Sequence, residues 1–320
     1  MENKIHYVYP MGKTVGIKLF SEGVLVVGLS DIKTDSGSTS PAKTCGLQEG
    51  DIITHINSEE VNSIEKVQAV LQDLHGEAMS VRIVRNQAQS QLTAKAVQCS
   101  ADGAYKLGAW IRDSMAGIGT MTFYDPESKI FGTLGHGIND VDTALLMPLQ
   151  SGSIMPSSVS DIKRGLSGQP GELHGSFQVD RDLGQLYANT AGGVFGLLSD
   201  DSFISGKNLV PVATDKQVKL GKASILCNVS GNQVEEFSVE ITKLYPESND
   251  TRSLMLQITD PRLLELTGGI VQGMSGSPIL QDGKLVGAVT HVLLNDPTRG
   301  YGIFAQKMIR LAEDAQSKLG

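Results

Sequence analysis

Gly273-Met274-Ser275-Gly276-Ser277-Pro278 is followed by Ile279-Leu280, the turn Gln281-Asp282-Gly283 and the apolar run Leu285-Val286-Gly287-Ala288-Val289. Glycines beside a serine permit a tight backbone path on which the hydroxyl is presented and main-chain N–H groups converge on one point. Acyl transfer needs that pairing of a nucleophile with donors for the developing oxyanion. Ser275 is the nucleophile this reading predicts, and the N–H groups of Gly273 and Ser275 are its donors. Alone, the tetrapeptide around Ser275 is an ordinary Gly-Ser turn. The hairpin behind it argues for a nucleophile turn set between strands. A strand-to-helix elbow of the G-x-S-x-G kind is excluded, because Ser277 and Pro278 occupy the second and third positions after Ser275.

The pattern G-x-S-G-x-P resembles the nucleophile turn of chymotrypsin-like peptidases. A serine hydroxyl is a weak nucleophile at neutral pH and needs an adjacent base, most often histidine. Of the six histidines, His136 stands in Gly132-Thr133-Leu134-Gly135-His136-Gly137 at the end of an apolar run and precedes the serine in the chain. His291, in Val289-Thr290-His291-Val292 after the nucleophile hairpin, is the competitor, and His6, His55, His75 and His174 lie in other surroundings.

Composition bounds the function. With 320 residues the chain is long enough for two domains, and 36 Gly with 19% charged residues describe a turn-rich globular protein. A formal net charge of -8 and the lack of a basic stripe argue against nucleic-acid binding. Cys45, Cys99 and Cys227 show no metal-ligand spacing and are odd in number, so a full disulfide framework, a zinc site and a metal cofactor are not expected. No cofactor is expected at all. Met1 to Pro10 has no basic region followed by an apolar run, so no secretory signal is expected in this chain.

In the first hundred residues, Val15 to Phe20 and Gly23 to Leu29 read as two short strands separated by Ser21-Glu22-Gly23. Ile64, Val67, Val70, Leu71 and Leu74 follow the helical period, with Ser63 as N-cap and Gly76 as stop. Val15-Gly16-Ile17, Ser40-Pro41-Ala42, Gly46-Leu47, Gly50-Asp51-Ile52-Ile53 and Ile56-Asn57 together resemble a PDZ domain of the bacterial protease-associated kind. The resemblance implies that Val15, Gly16 and Ile17 form a carboxylate-binding loop and that Val67, Val70 and Leu71 line a groove for peptide termini. The expected organisation is an N-terminal segment over 1–11, a PDZ domain over 12–98, a polar linker over 99–107 and a protease domain over 108–320. The fold class expected is mainly β, a small α/β PDZ domain followed by a chymotrypsin-like β-barrel. Helical periodicity returns only from Phe304 to Lys318.

Longer strings narrow the resemblance. Gly117-Ile118-Gly119-Thr120-Met121-Thr122-Phe123-Tyr124, Leu134-Gly135-His136, Ile258-Thr259-Asp260-Pro261-Arg262-Leu263-Leu264 and Gly268 to Pro278 resemble the stage IV sporulation protein B family, as do Thr290-His291-Val292, Asn295 to Thr298 and Gly300-Tyr301-Gly302. The resemblance implies a serine endopeptidase of endospore formation in the extracytoplasmic space between forespore and mother cell membranes. Its protein substrate would be a regulatory membrane protein like stage IV sporulation protein FA, whose cleavage triggers late sigma-factor activation. Autoproteolysis and control through the PDZ domain are further implied. The resemblance also implies a membrane-targeting segment, which is not expected within the residues from Met1 onward.

A third residue must orient the base. Asp140, in Asn139-Asp140-Val141-Asp142, reads equally as part of a turn, and Asp260 before Pro261 reads equally as a helix N-cap. Resemblance over Thr259-Asp260-Pro261 implies Asp260. The alternative function is a non-catalytic PDZ scaffold that binds peptides in sporulation signalling; labelling by an active-site serine phosphonate separates the two. A metal-dependent hydrolase has no H-E-x-x-H or carboxylate cluster to support it.

Overall fold

The computed structural model describes residues 5–204, 206–247 and 251–318. The chain folds into two compact units that are interleaved in sequence. The smaller comprises Leu19–Met115 with Asn139–Ser151, and the larger Met1–Lys18, Ala116–Ile138 and Gly152–Gly320. This departs from the expected boundaries at 12, 98 and 108, because the residues up to Lys18 belong with the C-terminal part of the chain. Residues 1–4 of the expected N-terminal segment lie outside the described residues.

Strand β1 (Tyr7–Leu29) explains the departure. Two short strands divided at Ser21-Glu22-Gly23 were expected, but the strand is unbroken. Gly23 has φ +84°, and a Cβ there would lie 2.5 Å from the carbonyl oxygen of Ile53, so the glycine serves a close strand approach and not a chain reversal. The second half of β1 pairs with β2 (Ile52–Ile56) through Val24↔Ile53.

In the smaller unit a short helix, α1 (Pro41–Cys45), precedes β2, and α2 (Ile64–Asp73) follows it. Ser63 caps α2 as expected, its hydroxyl accepting the Lys66 N–H. Strand β3 (Ala78–Arg85) then pairs with β2 and with β4 (Ala88–Lys95). Val67, Val70 and Leu71 are only 4%, 7% and 5% exposed and pack with Val24, Ile53, Ile56 and Ile83. These three side chains therefore build the core and do not line an open groove: a 3.6-residue apolar period marks the buried stripe of a helix before it marks a binding face. Nor is the polar stretch near residue 100 a free linker, since Val97↔Lys106 and Gln98↔Tyr105 pair as a small ladder and the Tyr105 ring packs edge-on to His75.

The larger unit carries a sheet and a barrel. The C-terminal part of β5 (Ala109–Tyr124) pairs with β6 (Ile130–Thr133). The sheet continues outward through β10 (Gly193–Leu198), β9 (Gly184–Thr190), β7 (Ser151–Lys163) and β8 (Glu172–Phe177). A closed six-stranded barrel follows, β11 (Gly221–Ser230), β12 (Gln233–Leu244), β13 (Leu254–Ile258), β16 (Asp296–Phe304), β15 (Lys284–Leu293) and β14 (Pro278–Gln281) in spatial order. Helix α3 (Pro261–Thr267) interrupts the barrel sequence, and α4 (Ala305–Gln316) ends it, burying Met308, Ile309 and Ala312 against Phe123, Ala288 and Ile303. The expected mainly-β architecture is thus present.

Val15, Gly16 and Ile17 lie on β1 within this larger unit, with Val15 0% and Ile17 3% exposed. Gly16 faces the Phe177 side chain, which a Cβ would meet at 2.6 Å. The carboxylate-binding loop expected at these residues is corrected: they are buried strand, and their glycine admits an aromatic ring instead of an anion.

Candidate active site

The Ser275 turn is tied down by its carbonyls. The Thr120 N–H donates to the Ser275 carbonyl at 3.0 Å. The Thr120 hydroxyl donates to that of Gly273 at 2.7 Å and the Thr122 hydroxyl to that of Gly276 at 2.7 Å. Both threonines are fully buried on β5. Gly273 and Gly276 each have φ +96°, and a Cβ on Gly276 would lie 2.1 Å from the Thr120 carbonyl oxygen, so only glycine fits there. The Gly276 N–H is used by the Val289 carbonyl at 2.7 Å. The N–H groups of Gly273 and Ser275, by contrast, have no protein acceptor among the described residues.

Ser275 Oγ donates to the carbonyl oxygen of Thr290 at 2.9 Å. Thr290 precedes His291 on β15, and a Cβ on Gly135 would meet the Thr290 methyl at 2.8 Å, which packs the corner carrying His136 against the same strand. The His136 and His291 rings are 5.3 Å apart between centroids and tilted by 40°. The structure thus gathers Ser275, His136 and His291 around Thr290.

His136 is aimed by strain. Leu134 and Gly135 follow the end of β6 with φ of +66° and +69°. For a buried leucine that conformation costs about 1–3 kcal/mol, and such strain persists where surrounding contacts over-determine it. Here the Leu134 N–H is held by Thr120 O at 3.2 Å and the Gly135 N–H by Thr133 O at 2.7 Å. His136 Nδ1 is 2.8 Å from the Gly137 carbonyl oxygen, to which it donates in the tautomer that leaves Nε2 with a lone pair. Burial pushes the imidazole below its ordinary pKa, only partly opposed by the Gly137 carbonyl, so the ring is neutral at pH 7.

Neither aspartate is bonded to that ring. Asp260 caps α3, Oδ1 accepting the Arg262 N–H at 3.0 Å and Oδ2 accepting the Ser238 N–H at 3.3 Å and Arg262 Nη2 at 3.2 Å. Burial raises its pKa, but these donors outweigh burial and hold the carboxyl below the usual range. Asp260 as the orienting member of a triad is therefore corrected to the helix cap that Asp-Pro also predicted. Asp140 lies in the smaller unit, where Arg112 and the N–H and hydroxyl of Thr143 occupy its carboxylate.

Sequence reasoning missed Thr120 and Thr122, which sit in one of the strings quoted above without any local sign of their bonds to the turn. It also missed Asn189, at the end of β9. Its Oδ1 accepts the Ile138 N–H at 2.8 Å, and its Nδ2 donates to the Ile138 carbonyl at 2.9 Å.

The model of the SpoIVB peptidase S55 family matches residues 103–309, and a PDZ domain model matches residues 34–85. No curated protein matches the chain. Among solved structures, the PDZ domain of an SdrC-like protein from Listeria monocytogenes is 21% identical, covering 28% of this chain and 87% of its own, with a TM-score of 0.23. The Rv3671c protease from M. tuberculosis in its active form is 12% identical, covering 64% of this chain and 74% of its own, with a TM-score of 0.35. The HtrA-type protease AlgW with decapeptide is 12% identical, covering 64% of this chain and 54% of its own, with a TM-score of 0.36.

Proposed function

Because the chain belongs to the SpoIVB peptidase S55 family and is a serine endopeptidase, we propose that Ser275 is its nucleophile, His136 its general base, and the N–H groups of Gly273 and Ser275 its oxyanion hole. The observation that carries this reading is the pair of main-chain donors left, among the described residues, without a protein acceptor beside a serine whose turn carbonyls are bonded by Thr120 and Thr122.

Catalysis follows from these groups. Ser275 Oγ turns from the Thr290 carbonyl toward the scissile carbonyl carbon and gives its proton to His136 Nε2 as the C–O bond forms. The former carbonyl oxygen, now negative, receives the two N–H groups. Collapse of the tetrahedral species breaks the C–N bond, and the imidazolium returns the proton to the leaving amine. Water then takes the place of the amine and repeats the cycle in reverse, releasing the acid and the Ser275 hydroxyl.

The protein substrate in this reading is a regulatory membrane protein like stage IV sporulation protein FA, cleaved in the space between forespore and mother cell membranes to trigger late sigma-factor activation. Cleavage of the chain's own N-terminal region and capture of peptide termini by the PDZ unit belong to the same reading. Support comes from the family membership and the PDZ match. The test incubates purified wild type and Ser275→Ala with the extracytoplasmic part of such a regulator and reads products by mass spectrometry. Cleavage by the wild type alone is expected, with phosphonate labelling at Ser275; equal cleavage by both proteins refutes the nucleophile.

A further inference from the structure

The Gly137–Ile138 peptide group is bonded on both sides. Its carbonyl oxygen accepts from His136 Nδ1 at 2.8 Å, and its N–H donates to Asn189 Oδ1 at 2.8 Å. Asn189 Nδ2 reaches past it to the Ile138 carbonyl at 2.9 Å, which fixes the plane of the carboxamide and identifies the oxygen as the atom facing the N–H. Serine peptidases of the triad kind use a carboxylate to hold the imidazole in one tautomer. Here the two candidate carboxylates are committed to Arg262 and to Arg112.

We infer that Asn189 is the positioning residue of this active site and that it acts through the Gly137–Ile138 peptide, which relays its hydrogen bond to His136 Nδ1 in place of a triad carboxylate. The inference rests on the assignment of His136 as base. Hydrogen bonds in series polarise one another. A carboxamide accepting the peptide N–H makes the Gly137 oxygen a better acceptor, holds it in the plane of the ring nitrogen, and stabilises the imidazolium that forms during attack. The relay is neutral. It fixes Nδ1–H and leaves Nε2 for the serine proton without placing a negative charge beside the ring, in keeping with an imidazole that burial keeps easily deprotonated.

Three substitutions in the full chain test this with a peptide that the wild type cleaves. Asn189→Leu removes the bonds to the Ile138 N–H and carbonyl; Asn189→Asp keeps an acceptor for the Ile138 N–H but loses the donor and adds a charge; His136→Ala is the control on the underlying assignment. The titratable ring facing His136 is His291, so every pH profile is repeated in a His291→Gln background. The expected result is a loss in kcat on the order of 10²-fold for Asn189→Leu with KM little changed, within the range general-base catalysis supplies. Asn189→Asp should recover most of that loss, with the acid limb of kcat/KM moved to higher pH. Equal kcat in the folded fraction of both Asn189 variants, with an unmoved acid limb, overturns the relay while leaving His136 as base. Full activity of His136→Ala overturns the base itself and is distinguishable for that reason. Should the Asn189 variants not fold, histidine 15N shifts of the wild type decide: Nδ1–H with unprotonated Nε2 on His136 at neutral pH is expected, and the opposite tautomer refutes the proposal.

Discussion

Ser275 Oγ gives its hydrogen bond to the main-chain carbonyl of Thr290 at 2.9 Å. A hydroxyl donating to a carbonyl is not donating to an imidazole, so in the proposed mechanism the Ser275 proton is redirected from Thr290 to His136 before attack. The carbonyl is part of β15, where the neighbouring N–H of Val289 is paired to the Ser277 carbonyl at 2.9 Å. The resting position is therefore set by the strand that follows the hairpin and not by a side chain that mutation could remove.

The threonines of β5 determine whether the turn keeps its shape. Thr120→Val removes the hydroxyl bonded to the Gly273 carbonyl while preserving the volume of the side chain and the N–H bonded to the Ser275 carbonyl. A part-buried carbonyl left without its donor costs up to about 1–3 kcal/mol, the penalty of a fully buried one. The Gly273–Met274 peptide is also freed to rotate, which loosens Gly273 and lets its N–H drift from the oxyanion position, where one donor is worth roughly 10²–10³ in kcat. We predict a kcat lowered by at least tenfold with little change in KM, measured by steady-state kinetics, and a smaller effect for Thr122→Val. Wild-type kcat in Thr120→Val would show that the turn holds itself.

Protonation of His136 couples stability to activity. Its folded-state pKa is lowered by burial, whereas the unfolded chain takes up a proton near about 6.5. Between those two values the unfolded state binds more protons, so stability rises with pH in that window and is lost as pH falls through it. In the proposed mechanism the same neutral ring is the base, so kcat/KM should rise through a limb centred below about 6.5 and level off at neutral pH. Comparing the pH dependence of the unfolding midpoint for wild type and His136→Gln isolates this contribution: the wild type should lose more stability than the variant on acidification from pH 7 to 5.

How much of this could be read from the chain depends on the range of the interactions. The tight turn around Ser275 was legible because its requirement is local, with glycines at the positive-φ positions around one serine. Helix α2 was legible because its apolar period and Ser63 cap are contained within a dozen residues. The fate of Val15-Gly16-Ile17 was not, since alternating apolar residues look alike whichever sheet receives them, and the partner that decides, Phe177, is distant in sequence. Asn189 was invisible for the same reason: it meets Ile138 across 51 residues. Asp260 shows the converse hazard, where a residue satisfied by its nearest neighbours matched a catalytic pattern.

Asp260 can be separated into cap and catalyst by two substitutions. Asp260→Ala removes the acceptor for the Arg262 N–H and should cost about 0.5–2 kcal/mol of stability. Asp260→Asn retains a capping oxygen and should restore most of that, with turnover of the folded enzyme close to wild type. Chemical denaturation and steady-state kinetics on both variants check this. A fall of about 10⁴ in kcat for a stable Asp260→Asn protein would return the carboxylate to the triad.

Gly16 offers a test of the interleaved architecture itself. If residues 15–17 were a carboxylate-binding loop, a small side chain at Gly16 would weaken peptide binding and leave the peptidase unit intact. The structure places the residue on a buried strand of that unit, where a Cβ would come within 2.6 Å of Phe177 Cβ and 2.7 Å of its Cγ. Real side chains do not approach so closely, so the ring or the strand must move, and overpacking of this kind costs about 1–3 kcal/mol. Gly16→Ala should therefore lower the unfolding midpoint and reduce the active fraction at elevated temperature. Because the conflict is with one side chain, it should be relieved by trimming that side chain: in the double mutant with Phe177→Ala, the cost of Gly16→Ala should shrink by more than about 0.5 kcal/mol relative to its cost in the wild type, the signature of residues in contact. Strictly additive effects would mean that Gly16 and Phe177 do not meet in solution, and with that the assignment of the first half of β1 to the larger unit would fail.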